Sequence, residues 1–168
     1  MAKKKSTDFK LSTKAKNKLR NLEKLKLEMA KGKSAQEILE ISPEMMSRFK
    51  SAAYRLFAGK RYAEATNAFL FLVTLNPYNH DYWLGLGMST QMCHEYESAI
   101  DAYEMAASLS HENPIPFFYL AKCLFSIHDR ESALLAVDLA LEYAGDLDEY
   151  KELREQAEQA KKLLLRDQ

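Results

Sequence analysis

Apolar residues recur along most of this chain at intervals of three and four, the spacing that lines one face of an α-helix. Between residues 46 and 147 a longer period lies over the short one. Phe49, Trp83 and Phe117 stand 34 residues apart, and so do Ala65, Ala99 and Ala133. Phe69, Tyr103 and Val137 form a third column, and Leu72, Ala106 and Ala140 a fourth. Ala52, Leu86 and Leu120 make another, beside Ala53, Gly87 and Ala121. Inside each unit the stripe divides between two helices. Phe49, Ala52, Ala53 and Leu56 mark the first, and Tyr62, Ala65, Phe69 and Leu72 the second. The pattern predicts helices near 43–58 and 61–75, 79–92 and 95–109, 114–127 and 129–143.

A period of this length, with an aromatic at place 4, a small residue at place 8 and alanine at place 20, resembles the tetratricopeptide repeat. Each column has a packing reason. Small residues at places 8 and 20 let the two helices cross closely. Bulky ones at places 4 and 24 fill the seam to the next hairpin. No hairpin can bury such a stripe alone, so repeats 46–79, 80–113 and 114–147 are expected to stack into a curved, all-α solenoid.

The flanks carry their own signals. Ser34 and Glu37 read as a capping box on a short lead-in helix, and Ser42 with Pro43 as the N-cap and first residue of the first repeat helix. The repeat body thus spans 34–147. Residues 1–10 read as a disordered basic arm and 11–33 as an amphipathic basic helix, running from Ser12 or Thr13 to about Ala30. Its stripe includes Leu19, Leu22, Leu25 and Met29, a candidate interface with a second copy of the chain. Folding back on the repeats, or lying on an anionic surface, are the other fates open to it. A last helix is expected from 147 to 166, making residues 148–168 a C-terminal cap, with Leu147, Tyr150, Leu153, Ala157, Ala160 and Leu164 along its apolar edge.

Charge sharpens this division. Residues 1–33 hold twelve Lys/Arg against three Asp/Glu, while the remaining 135 hold 12 against 21, so the formal net charge of zero hides two opposed halves. A zero balance argues against general nucleic-acid binding. Cys93 and Cys123 fall on first helices and read as buried, reduced core residues. No apolar run reaches the ~20 residues of a membrane span, and the basic N-terminus lacks the apolar stretch of a secretory signal, so a cytosolic protein is expected. His94 and His128 share one place in the turn between helices, and no His, Cys or carboxylate grouping has metal-ligand spacing. No glycine-rich phosphate loop or nucleophile constellation is present. The sequence therefore predicts no enzyme, no cofactor, no metal and no small-molecule substrate.

What remains is surface. In a stack of hairpins the first helices line the concave side, and places 2, 5, 9 and 12 point into it. Here these are Ser47, Lys50, Tyr54 and Phe57, then Asp81, Leu84, Met88 and Gln91, then Ile115, Phe118, Lys122 and Phe125. Aromatic and aliphatic side chains predominate, as expected of a groove for an extended apolar peptide.

The run Tyr78 to Gly87, then Asn113-Pro114 followed by Phe117, Phe118 and Ala121 to Leu124, is similar to the tetratricopeptide chaperones of type III secretion translocators. These are the class II, LcrH/SycD-like chaperones. The lead-in Ile38 to Met46 is similar as well, so the resemblance covers about 34–145. It implies a soluble protein of the bacterial cytosol that holds an extended segment of a hydrophobic translocator in the groove and keeps it secretion-competent. Carried over by position, Tyr54 and Phe57 are groove aromatics, with Tyr62 and Tyr103 on second helices at the edge. Lys50 departs from the aromatic that the family often has there. The resemblance also implies dimerisation through N-terminal segments and, in some members, a transcriptional regulator as partner. Two other readings stay open: a different tetratricopeptide adaptor, and a nucleic-acid or anionic-surface binder acting through the basic N-terminus. Against a carboxylate clamp stands Tyr54, where such a clamp needs Asn.

Overall fold

A computed structural model describes residues 10–166, which form ten α-helices and, among the described residues, no strand. The predicted arm lies almost wholly outside the described residues. Helices α4 (Pro43–Ala58) and α5 (Tyr62–Leu75), α6 (His80–Met92) and α7 (Tyr96–Leu109), and α8 (Pro114–Ser126) and α9 (Arg130–Ala144) are three antiparallel hairpins. Each helix lies within about a residue of its expected span. Caps fix the starts of the first helices. The Ser42 hydroxyl accepts from the Met45 amide, with Pro43 as the first residue of α4, and Asn79 and Asn113 cap α6 and α8 through their side-chain oxygens.

The turns inside the hairpins share one geometry. Lys60, His94 and His128, 34 residues apart, all adopt the left-handed conformation, with φ of 59°, 62° and 66°. A residue with a Cβ costs about 1–2 kcal/mol there, a strain the packed helices on either side hold in place.

Rings from second helices set the seams both between and within hairpins. Phe69 of α5 is fully buried, and a Cβ added to Gly85 of α6 would fall 2.2 Å from its ring. Tyr103 of α7 lies over Gly87 in the same way, with 2.7 Å to an added Cβ, and stacks on Tyr119 of the next hairpin at 5.8 Å. The two glycines are slots that admit rings of second helices. His80 adds a polar tie: its Nδ1 lies 2.9 Å from the Ala106 carbonyl and its Nε2 3.2 Å from the Asn113 amide nitrogen. Since the carbonyl only accepts, Nδ1 donates and Nε2 receives, which links α6, α7 and the cap of α8. Cys123 is buried as expected, and burial pushes its thiol up to about 11. Cys93 is only half-buried, because it falls at the C-cap of α6 rather than in the helix seam.

Both flanks depart from expectation. The N-terminal helix breaks into α1 (Thr13–Arg20) and α2 (Leu22–Ala30) at Asn21, whose side chain accepts from the Lys24 amide at 3.1 Å and caps α2. An Asn offers the backbone this alternative to continuing a helix. Helix α1 folds back on its own chain, with Ala15 buried and the Lys14 and Lys18 ammonium groups 2.8 and 2.9 Å from Glu40. The short lead-in helix α3 (Ala35–Ile38) carries the expected capping box between Ser34 and Glu37. At the other end a single 3₁₀ turn, Asp148–Tyr150, precedes α10 (Lys151–Arg166). Ala157 and Leu164 of α10 are buried, and Lys161 pairs with Asp138 of α9 at 2.7 Å. Leu147 is more than half exposed instead of joining that edge, because the 3₁₀ turn begins the helix beyond it.

Candidate binding groove

The first helices of successive hairpins touch one another, α4 with α6 and α6 with α8, and α10 touches α8 in the same manner. The second helices stand further apart, so the stack curls with its first helices inside. The inner face therefore has four helices, since α10 takes the place that the first helix of a fourth repeat would occupy.

In the first hairpin, Tyr54 stands edge-on to the buried Phe69 at 5.1 Å and Phe57 edge-on to Tyr62 at 5.4 Å. The rings are thus held by the core while part of each stays open, and burial raises the Tyr54 phenol. Lys50 forms an ion pair with Asp81 of α6. That bond raises the lysine further above its usual value. The pair ties the first two hairpins together inside the groove, a link the sequence columns do not reveal because the partners sit 31 residues apart. Leu84, Met88 and Gln91 of α6 are half-buried along the middle of the face, and Ser47, Lys122 and Phe125 are exposed.

Two predicted groove residues belong to the interior. Tyr103 has no exposed surface: Gly87 opens the slot it fills, and its hydroxyl donates to Gln91 Oε1 at 2.7 Å. It supports the groove from behind by orienting Gln91. Phe118 is also buried, at 5% exposed, and forms the floor between α8 and α10. Above that floor Ala121, Phe125, Ala160, Leu163 and Leu164 line an apolar cleft of about 110 Å³. Lys122 arches over it, with its ammonium 4.3 Å from the centroid of Phe118 and 5.2 Å from that of Tyr119. Sequence reasoning missed this cleft because one wall of it, Ala160, Leu163 and Leu164, comes from α10, which follows a different register from the repeats.

The residues expected at a dimer contact lie on α1 and α2. Leu19, Leu22 and Met29 are exposed, at 39%, 64% and 54%, and Leu25 is half-buried. The break at Asn21 prevents them from forming one straight stripe. Among the described residues no group of three or more His, Cys, Asp or Glu could hold a metal ion, and no helix is long and apolar enough to cross a membrane.

Comparison with known proteins gives this geometry a family. The tetratricopeptide repeat description matches residues 49–79 and 80–113. Low calcium response locus protein H of Yersinia pestis is 31% identical over 114 residues, covering 68% of this chain and 68% of that protein. The type III secretion chaperone SycD of Yersinia enterocolitica, solved in complex with a peptide of the translocator YopD, superposes with a TM-score of 0.74. It is 27% identical over 77% of this chain and 99% of that one. A type III secretion complex from Aeromonas hydrophila contains a chain of the same fold, with a TM-score of 0.82 at 22% identity over 85% of this chain and 95% of that one. The repeats, the lead-in helix and these likenesses place the chain in the LcrH/SycD-like family of tetratricopeptide-repeat type III secretion chaperones.

Proposed function

We propose that this chain chaperones a hydrophobic type III secretion translocator in the bacterial cytosol, holding an extended apolar segment of it in the concave groove before export. The observation that carries this reading is a curved inner face whose aromatic and aliphatic side chains stay partly open, in a chain related to SycD, which has been seen with a translocator peptide. A segment destined for a membrane exposes apolar surface in water, and covering it is worth ~25 cal/mol per Å². Ordering the segment offsets much of that gain, so the complex stays releasable. Masking of this kind needs no catalytic group and no nucleotide.

Replacing Tyr54 and Phe57 together by alanine tests the proposal. Capture from the source bacterium should yield a long protein with membrane-type helices on the wild-type chain, and little of it on the double variant at equal helicity. Equal capture of soluble partners by both forms would contradict the reading. The exposed Leu22 and Met29 of α2 are proposed to serve a homodimer, an arrangement of which SycD itself gives an example.

A further inference from the structure

The groove contains two lysines in different electrostatic situations. Lys50 is neutralised by Asp81 within the chain. Lys122 has no carboxylate within ion-pair distance among the described residues, and its contacts are the faces of Phe118 and Tyr119. Its stem covers part of the apolar cleft, and desolvation there lowers its pKa, while the side chain as a whole stays accessible from the groove. Glu149 and Glu152 lie nearby on the wall shared with Ile115, Phe118 and Tyr119, but neither reaches it. An unpartnered ammonium at the mouth of a cleft with apolar walls favours a ligand combining two chemistries: an aliphatic group for the cleft and an anionic group beside it.

Building on the groove as the binding face, we propose that the α8–α10 cleft takes an aliphatic side chain of the bound segment and that Lys122 pairs with a Glu or Asp side chain next to it. The cargo segment is then acidic at its third-repeat end, and the cleft sets both its register and its direction along the groove. A purely apolar segment would leave Lys122 facing a peptide with nothing to offer beyond its carbonyl groups.

Fluorescence anisotropy with labelled 16-residue peptides tests this. The peptides carry leucines among prolines and serines, with one glutamate walked through the positions and glutamine at the same position as control. At one position or a narrow set of positions, glutamate should improve affinity about three- to five-fold over glutamine, the range of a partly exposed ion pair. Lys122→Met, which keeps an apolar stem, should erase the difference between the glutamate and glutamine peptides at that position. No favoured position, or a preference that survives Lys122→Met, overturns the pairing. Failure of every peptide to bind wild type, or equal binding to the Tyr54/Phe57 double alanine, would reject the groove itself. A sedimenting dimer that dissociates on Lys122→Met would assign the cleft to a second copy and likewise overturn the proposal.

Discussion

Gly85→Ala is the sharpest test of how the repeats lock together. In an exposed helix this change stabilises by about 1 kcal/mol, because glycine is the poorer helix former. Here the new methyl carbon would fall 2.2, 2.4 and 2.6 Å from three ring carbons of Phe69. Ordinary carbon contacts lie at about 3.5–4.0 Å, so the ring must move by more than about 1 Å. It has no room to do so, being fully buried and held edge-on by Tyr54 at 5.1 Å. Overpacking of this kind costs roughly 1–3 kcal/mol, and more where backbone shifts. The net expectation is a loss of up to about 2 kcal/mol and a fall in Tm of up to about 8 °C. Urea unfolding followed by Trp83 fluorescence and helix circular dichroism measures it. Phe69→Leu should be tolerated better in the Gly85→Ala background than in the wild-type chain, with a coupling of about 1 kcal/mol. A Gly85→Ala chain that gains stability, or a cycle without coupling, would show that the ring of α5 does not occupy this slot.

Two further expectations concern the N-terminal segment. Lys14 and Lys18 hold the Glu40 carboxyl at about 2 against a usual 4.5. Because the folded value is depressed, the contribution of this contact is fully present above 4.5 and lost as pH falls through about 2. Carbon NMR titration should place the Glu40 midpoint near 2 and move it up in Lys14→Gln/Lys18→Gln; an unmoved midpoint would detach α1 from the end of α3. Deleting residues 1–33 should shift any dimer toward monomer in sedimentation velocity, and an unchanged distribution would remove α2 from the interface.

The repeat body was legible because its packing rules recur every 34 residues: one column of small residues and one of rings report the same seam several times over. Gly87 was readable this way. Gly85 belongs to no column of small residues, so its role as the receiving slot for Phe69 emerges only when α5 and α6 are set side by side. Tyr103 shows the limit of position-by-position transfer. An edge place on a second helix reads as groove, yet with glycine opposite at 87 the ring sinks inward and only its hydroxyl reaches the groove residue Gln91. The flanks have no repeats to average over. One Asn at 21 was enough to convert an expected long helix into two, and a 3₁₀ turn displaced α10 from the repeat register. The cleft under Lys122 is built across that displacement, which is why no spacing pointed to it.

The central claim is that the translocator segment lies along the first helices. Photo-crosslinking with benzoylphenylalanine measures it directly, placed either at Met88 of α6 on the inner face or at the exposed Met105 of α7 on a second helix. With the translocator of the same secretion system co-expressed, position 88 should yield an adduct to one short segment of the cargo, and position 105 none. Adducts at 105 but not at 88 would place the cargo on the outer helices and contradict the account.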